Sequence, residues 1–385
     1  MSETTFKYHD DHRHATWLEL FFDLVFVAAI SVVTHALGHL HHGHLAPEQL
    51  LVFAIAFVPV WWIWASHTLY ANRFDTDSKG DRFATLVLMF LVTAMASSLG
   101  DDLVQSYGIL VGSYVVIRLL MAGAYFMKAS HVDAELAHFA RSMGYAGCVG
   151  AVISGAALLV EGPARPVIFL GGIAFEMVAA VVISRRSAVT AVHRAHLVER
   201  VGLLSIILLG ESVISLVGGL KDIAWDAHSI TAAASGFLMI GAIWWIYFDS
   251  FDVLERTRRL EHGFVLLYSN VLFSMGLAVL ANTILHAILE EIAMPDFRLL
   301  AVTGMVLFYL GKQATYFHVL PIYRPNILIN STVCLAITVA STFLSRPEYA
   351  LVGMTLGMFF YVYSNFRWTL TKDASEYLIE EPEAA

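Results

Sequence analysis

Long apolar runs, separated by short polar segments, repeat along nearly the whole chain. A helix needs about 20 mostly apolar residues to cross the hydrocarbon core of a bilayer. Windows of this kind lie at 17–38, 48–71, 82–99, 106–127, 138–160, 164–184, 197–219, 228–250, 264–289, 298–318, 326–345 and 348–369. The pattern therefore predicts an all-α polytopic membrane protein with about 12 transmembrane helices.

The composition supports this prediction, because 58% of the 385 residues are hydrophobic and only 14% are charged. Soluble domains carry about 25% charged residues, so a water-soluble surface is excluded and the lipid bilayer is the expected partner. The sequence has no basic patch with interleaved aromatic residues that would indicate a nucleic-acid partner. Cys148 and Cys334 lie far apart in apolar runs, which excludes a disulfide framework or a cysteine-rich metal site.

The placement of Lys and Arg predicts the orientation of the chain. Loops on one side carry groups such as Arg185 with Arg186, whereas the opposite loops hold isolated residues such as Lys221 and Arg346. The positive-inside rule assigns the basic loops to the cytoplasm. With an even number of spans, both termini are then expected to be cytoplasmic.

Two pairs of segments in the sequence indicate an internal duplication. WWIWASHTLYANRFD from Trp61 resembles WWIYFDSFDVLERTR from Trp244, and HRHATWLELFF from His12 resembles HRAHLVERVGLL from His193. We interpret the pairs as two parallel six-helix repeats; the alternative is a coincidence of tryptophan pairs and apolar runs. Such repeats are one plan of secondary transporters, although architecture alone does not establish transport. The predicted segments are a cytoplasmic N-terminus at 1–16, repeats at 17–190 and 191–370, and an acidic cytoplasmic tail at 371–385.

The same regions carry a family resemblance. WLELFFDLVFVAAI from Trp17, taken with HLVERVGLLSIILLGESVIS from His196, resembles the bacterial low temperature requirement A (LtrA) family. The resemblance covers nearly the whole chain. It implies a multi-pass protein of the bacterial inner membrane, linked by the family name to growth in the cold, and it implies no particular substrate or reaction.

Glu19 and Asp23 lie one helical turn apart on one face of the first apolar run. Like charges at this spacing repel each other. We therefore expect one of them to carry a proton or to face a cation, such as Arg13 or another cytoplasmic arginine. Because Glu199 begins the second repeat as Glu19 begins the first, these acids are interpreted as a repeated polar gate on the cytoplasmic side. A structural salt bridge or a helix cap is the alternative.

Three further charged residues, Arg118, Glu176 and Glu211, lie near the middle of their predicted spans. A charge at that depth costs at least about 2.5–3.5 kcal/mol unless it is paired or faces a cavity. Either Glu176 or Glu211 can neutralise Arg118, which would leave the other acid to bind a proton; a buried pair is the structural alternative. Arg200 lies on the helical face of Glu211, and Asp249 closes the eighth span. The predicted proton, ion or substrate pathway comprises Glu19, Asp23, Arg118, Glu176, Glu199, Arg200, Glu211 and Asp249.

A histidine cluster, GHLHHGHL, occupies the first predicted external loop. Neutral imidazoles at this density can bind zinc or copper, so the predicted metal ligands are His39, His41, His42 and His44. No carboxylate or cysteine completes a known spacing, so a flexible loop with weak metal affinity is the favoured interpretation. No cofactor is expected.

The preferred functional hypothesis is a proton-coupled secondary transporter or ion pathway for an unidentified small molecule or ion. Two alternatives stay open: a histidine-dependent metal- or haem-binding redox protein, and a non-transporting scaffold or sensor linked to cold growth. The sequence has no nucleophile elbow, phosphate loop, dinucleotide fingerprint or HExxH motif, so an enzyme is not favoured. A homo-oligomer is compatible with the sequence.

Overall fold

The architecture comes from a computed structural model of the chain. It describes residues 14–35, 37–40, 42–46, 48–74, 76–99, 103–187, 192–221, 224–257, 259–260, 263–369 and 371–372. Within these ranges the regular elements are helices, which confirms the all-α prediction. They are α1 (Trp17–His35), α2 (Gln49–Phe74), α3 (Lys79–Ser97), α4 (Leu103–Lys128), α5 (Ala134–Ala156), α6 (Ala164–Arg186), α7 (Arg194–Gly219), α8 (Ala227–Phe248), α9 (Asp252–Arg256), α10 (Phe264–Leu289), α11 (Met294–Val319), α12 (Arg324–Ser341) and α13 (Pro347–Ser364).

Eleven helical segments in the described part of the chain are long and apolar enough to cross a membrane. Each of the twelve predicted windows overlaps one long helix, and α13 is the long helix that is not among the eleven. Its first turn contains Glu348, which is fully buried, and this charge lowers the apolar character of the segment.

The outward faces of these helices are apolar. Phe90 on α3 and Val152 on α5 are each 71% exposed, and Leu356 on α13 is 64% exposed. Exposed apolar surface on this scale is not stable in water, since soluble proteins rarely expose large contiguous apolar patches. These side chains therefore face lipid, as expected of a polytopic membrane protein.

The chain divides into two compact units. The first contains the described residues of 1–36, 51–200 and 261–264, and the second those of 37–50, 201–260 and 265–385. Each unit is described separately below. The division into sequence repeats at 190/191 stays a prediction.

In the first unit, α2 forms the centre. Every residue from 59 to 69 is buried, so this helix contacts protein on all sides. Near its end, Phe74 packs with Tyr125 of α4 and Phe139 of α5 in one apolar cluster. On α6, Gly172 allows close contact with the backbone of α5, because a Cβ there would overlap Gly150 and Ser154. Small residues of this kind let transmembrane helices approach closely.

In the second unit, α10 is the most deeply buried of the candidate spans. It contacts α11 at two glycines: a Cβ on Gly276 would overlap the backbone of Phe308, and a Cβ on Gly311 would overlap the backbone of Phe273. Helix α13 is fixed against its neighbours by polar contacts. The Thr355 hydroxyl donates to the Ser235 carbonyl on α8 at 3.1 Å.

The contact between α10 and α11 predicts a specific stability effect. We expect Gly311→Ala to lower the free energy of unfolding by about 1–3 kcal/mol, because the new methyl group forces the helices apart. Thermal unfolding in detergent, followed by size-exclusion chromatography, measures the change.

Gly241 on α8 provides the matched control, since a Cβ there would meet open space. Gly241→Ala should keep or slightly raise the unfolding temperature, because Ala favours helix over Gly by about 1 kcal/mol. Equal destabilisation by both substitutions would contradict the assigned packing.

Candidate functional site

The site begins where α1 begins. Oε2 of Glu19 accepts a hydrogen bond from the backbone N–H of Thr16 at 2.8 Å, and the Thr16 hydroxyl accepts one from the N–H of Glu19 at 3.2 Å. This is a capping box, in which the side chain at the third helical position returns to the capping residue. The local sequence thus holds the carboxylate of Glu19 against the end of its own helix.

Arg200, on the first turns of α7, binds both acids of α1. Its Nε and Nη2 donate to the two oxygens of Asp23 at 3.2 and 2.6 Å, a two-point pair. Its Nη1 lies 3.0 Å from Oε1 of Glu19. All three residues belong to the first unit and are at most 2% exposed. Arg200 is therefore the cation that the spacing of Glu19 and Asp23 required, and the other predicted partner, Arg13, lies outside the described residues.

Two more side chains contact the acids. The indole N–H of Trp64 donates to Oδ1 of Asp23 at 2.7 Å. Nε2 of His196, a fully buried residue, lies 3.1 Å from Oε1 of Glu19. Nδ2 of Asn72 lies 3.1 Å from Nδ1 of His196. Since an amide nitrogen only donates, Nδ1 of the neutral ring must accept this hydrogen bond. The ring proton is then on Nε2, the nitrogen that faces Glu19.

A cavity of about 40 Å³ reaches this cluster from within the first unit. Its walls come from α1 to α4 and include Glu19, His67, Tyr70, Asp81 and Met121. A water molecule needs roughly 10–15 Å³ of such space and two or more polar partners. The cavity is therefore large enough for a few water molecules, and Glu19 is one of the residues that line it.

Asp81, in the first turn of α3, lies at the partly exposed end of the cavity. It accepts from Lys128 at 2.9 Å and from the Thr76 hydroxyl at 2.7 Å. The side chains of Asp81 and Lys128 are 15% and 16% exposed. The cavity is thus lined both by Asp81, a partly exposed member of an ion pair, and by the buried residue Glu19.

His67 is the other titratable group on the cavity wall. Its ring stacks on Phe22 at 4.1 Å between centroids. Nδ1 of His67 is buried and has no hydrogen-bond partner among the residues that the structure describes. A buried imidazole nitrogen without a partner is costly, so this ring is not explained by packing alone.

Arg118 and Glu176 form a second, separate ion pair in the same unit. Glu176 also accepts from the Trp62 indole at 3.2 Å and from the Tyr114 hydroxyl at 3.4 Å. Nη1 of Arg118 donates to the Ser66 hydroxyl at 2.6 Å. One acid here meets one base, so the pair is electrically balanced. Of the two acids that the sequence offered to Arg118, Glu176 is the one in contact.

The remaining predicted pathway residues lie elsewhere. Glu199 is on the surface of the first unit with 31% of its side chain exposed, and it accepts from the backbone N–H of Ala15 at 2.9 Å. Glu211 is a half-buried residue of the second unit, and Asp249 is an exposed residue at the end of α8. The predicted centre of Arg118, Glu176 and Glu211 is therefore not what surrounds the cavity.

The predicted histidine loop shows no assembled metal site among its described members. His39, His42 and His44 are exposed, and His41 lies outside the described residues. Nδ1 of His44 pairs with Asp296 at 2.7 Å. The three-residue ligand group that the described residues do contain lies elsewhere in the second unit. Metal binding by the loop stays a prediction.

Sequence reasoning missed His196, His67 and Asp81. A signal for His196 was present, because it precedes Arg200 by four residues and so shares its helical face. His67 and Asp81 gave no such signal, since their role depends on the space between four helices.

Comparisons with known proteins agree with the resemblance seen in the sequence. The family model described as bacterial low temperature requirement A protein (LtrA) matches residues 14–363, most of the chain. The chain is also similar to the uncharacterized protein RA0937 of Rhizobium meliloti (strain 1021). The two are 24% identical over 332 residues, which are 80% of this chain and 78% of that protein.

The Asp23–Arg200 pair predicts strong energetic coupling. Asp23→Asn and Arg200→Gln should each lower the free energy of unfolding by about 3–5 kcal/mol, because each breaks a buried ion pair that is held at two points. The double variant should cost less than the two single costs together. Equilibrium unfolding in mixed micelles gives all four values of the cycle.

The exposed pair of Arg82 and Asp77, at 2.7 Å and with side chains 57% and 38% exposed, is the control. Arg82→Gln should cost no more than about 1 kcal/mol. Additive effects in the Asp23 and Arg200 cycle would show that the buried pair does not interact.

Proposed function

The chain belongs to the bacterial low temperature requirement A protein family, and on that premise we propose that it is a proton-coupled secondary transporter or ion pathway of the inner membrane. Its substrate would be a small molecule or an ion. The single observation that carries the proposal is that the buried residue Glu19 lines the cavity.

The composition of the Arg200 cluster supports this proposal. Two carboxylates, Glu19 and Asp23, share one guanidinium. Nε2 of His196 also lies 3.1 Å from Oε1 of Glu19. Acid and histidine side chains in contact form proton relays in pumps and transporters, so the cluster offers groups that can bind and release a proton.

The cavity supplies a route for that proton. Asp81 at the accessible end and Glu19 at the buried end both line it, with His67 on the wall. Protons move along water and titratable side chains of this type in pumps and transporters. Once Glu19 is neutral, its ionic contact with Arg200 is lost, which weakens the contact between α1 and the start of α7. Proton binding would then be linked to helix movement.

The orientation of the cavity fits this scheme. Its accessible end lies beside Lys128 and the start of α3, in loops that the Lys and Arg distribution assigns to the cytoplasm. We therefore propose that both termini and this cavity mouth face the cytoplasm. Protons would enter or leave Glu19 from that side.

The second unit contains a related arrangement, which supports the proposed duplication. Lys312 on α11 is buried and donates to the Ser250 hydroxyl at 3.2 Å, just after α8. In the first unit, Arg118 on α4 donates to Ser66 on α2. In both predicted repeats, a buried cation on the fourth long helix donates a hydrogen bond to a serine hydroxyl. That serine lies on the second long helix of the repeat or directly after it. The two predicted repeats thus share a polar feature as well as their tryptophan pairs.

The proposal predicts a pH-driven movement of charge. Proteoliposomes adsorbed on a solid-supported membrane should give a transient current after a pH jump, because a proton enters the membrane field. We expect Glu19→Gln to abolish this current. Gln still accepts the Thr16 hydrogen bond, so the start of α1 is preserved.

Two further variants make this test decisive. His67→Phe keeps the aromatic stack on Phe22 and should strongly reduce the current, whereas Glu161→Gln, a change at an exposed position outside the predicted pathway, should leave it intact. The proposal fails if wild-type protein gives no more current than empty liposomes, or if folded Glu19→Gln and His67→Phe both behave as wild type.

The proposed orientation predicts a labelling pattern. In a variant with Cys148 and Cys334 replaced by serine, Glu161→Cys should react with a membrane-impermeant maleimide added to spheroplasts. Ser78→Cys should react only after the membrane is opened. Both positions are exposed on the protein, so membrane sidedness decides the outcome. The reverse pattern would place the termini and the cavity mouth outside.

A further inference from the structure

Three helix ends of the second unit bring together a histidine and two glutamates. His228 lies in the first turn of α8, Glu348 in the first turn of α13, and Glu290 directly follows α10. Neither the proposed transport mechanism nor the predicted histidine loop uses these residues. They belong to one compact unit, so their geometry is internal to it.

The three side chains offer a set of ligand atoms. One nitrogen or oxygen of each lies within 4.8 Å of the others. Nδ1 of His228 is 2.9 Å from Oε1 of Glu348. A transition-metal ion needs about 2.0–2.2 Å to each such ligand, so modest side-chain rotation would place an ion among them.

Glu348 is the residue that packing does not explain. Its side chain is fully buried, and its Oε2 has no hydrogen-bond partner among the described residues. A buried carboxylate oxygen without a donor carries a full desolvation cost. A cation between Glu348, His228 and Glu290 would satisfy that oxygen.

Arg346 is the cation beside the two glutamates of this group. Its Nη1 lies 3.7 Å from Glu290 and 3.6 Å from Glu348, which are long contacts for an arginine that can pair at hydrogen-bond distance. The side chain is 46% exposed and can move into solvent. One guanidinium facing two carboxylates also leaves one negative charge in excess.

We propose that His228, Glu290 and Glu348 bind a divalent transition-metal ion of the zinc class. Imidazole nitrogen with carboxylate oxygen suits such ions, and three protein ligands leave a fourth position for water. Arg346 and the ion compete for the same carboxylates. The site is independent of the proposed transport mechanism, and the Lys and Arg distribution places it at the outer end of the helices.

Zinc binding to the purified full-length protein tests the proposal. Equilibrium dialysis with Zn²⁺ should be done in a background in which His39, His41, His42 and His44 are alanine, so that loop binding does not contribute. We expect one bound ion per chain. Glu348→Gln should remove it, and Glu290→Gln, at a 40% exposed side chain, should weaken it at least about tenfold while the protein stays folded.

Arg346→Gln separates a metal site from a simple ion network. Removing the competing guanidinium should tighten zinc binding several-fold, whereas an ion network would only lose stability. Asp296→Asn, which removes a carboxylate outside this group in the same unit, is the matched control and should not change zinc affinity. Unchanged zinc affinity in folded Glu290→Gln, or weaker binding in Arg346→Gln, would overturn the proposal.

Discussion

The position of Arg200 between Asp23 and Glu19 is the constraint on which the first unit depends. A guanidinium with no exposed surface needs carboxylates close at hand, and both carboxylates come from one face of α1. The two-point pair with Asp23 fixes the distance and rotation between α1 and the start of α7. Trp64 then ties the same carboxylate to α2, and Asn72 ties His196 to α2 as well. One cation thus sets the arrangement of three helices.

The two buried ion groups of this unit differ in their composition and in their packing. Arg118 and Glu176 cancel each other's charge, and Trp62 and Tyr114 supply further donors to the acid. A Cβ on Gly150 would overlap the Glu176 side chain, so this pair is also closely packed. The Arg200 group joins two carboxylates and a histidine, and Glu19 also lines a cavity. A closely packed pair of one acid and one base holds helices together, whereas an acid that lines a cavity meets the first requirement of the proposed proton exchange.

Much of the fold followed from the sequence because a bilayer imposes a simple rule on it. Each apolar window of about 20 residues had to be a helix, and the long helices lie where those windows predicted them. The deep charges Glu19, Asp23, Arg118 and Glu176 were also visible, since any charge in an apolar run is conspicuous. Their pairing was not visible. Whether Arg118 meets Glu176 or Glu211 depends on helix rotation and on contacts such as those at Gly150 and Gly172, and a single apolar pattern does not encode them.

The cavity was hidden for a similar reason. It exists because Glu19, His67, Asp81 and Met121, from four different helices, leave space that no larger side chain fills. No local sequence pattern identifies residues that line a cavity. From the sequence, His67 is a single polar residue within an apolar helix. His228, Glu290 and Glu348 are likewise far apart in sequence and meet at three helix ends. Sites of this kind require the tertiary arrangement.

Glu19 combines a structural contact with a charge that can change. The capping box at Thr16 works with either Glu or Gln, so the helix start does not need a carboxylate. Asp23 binds the guanidinium of Arg200 at two points, so Arg200 stays attached to α1 when Glu19 is neutral. The Glu19 carboxylate lies beside His196, and the residue lines a water-sized cavity. In the proposed mechanism the charge of Glu19 therefore changes with proton binding, while the Asp23 pair continues to hold α1 and the start of α7 together.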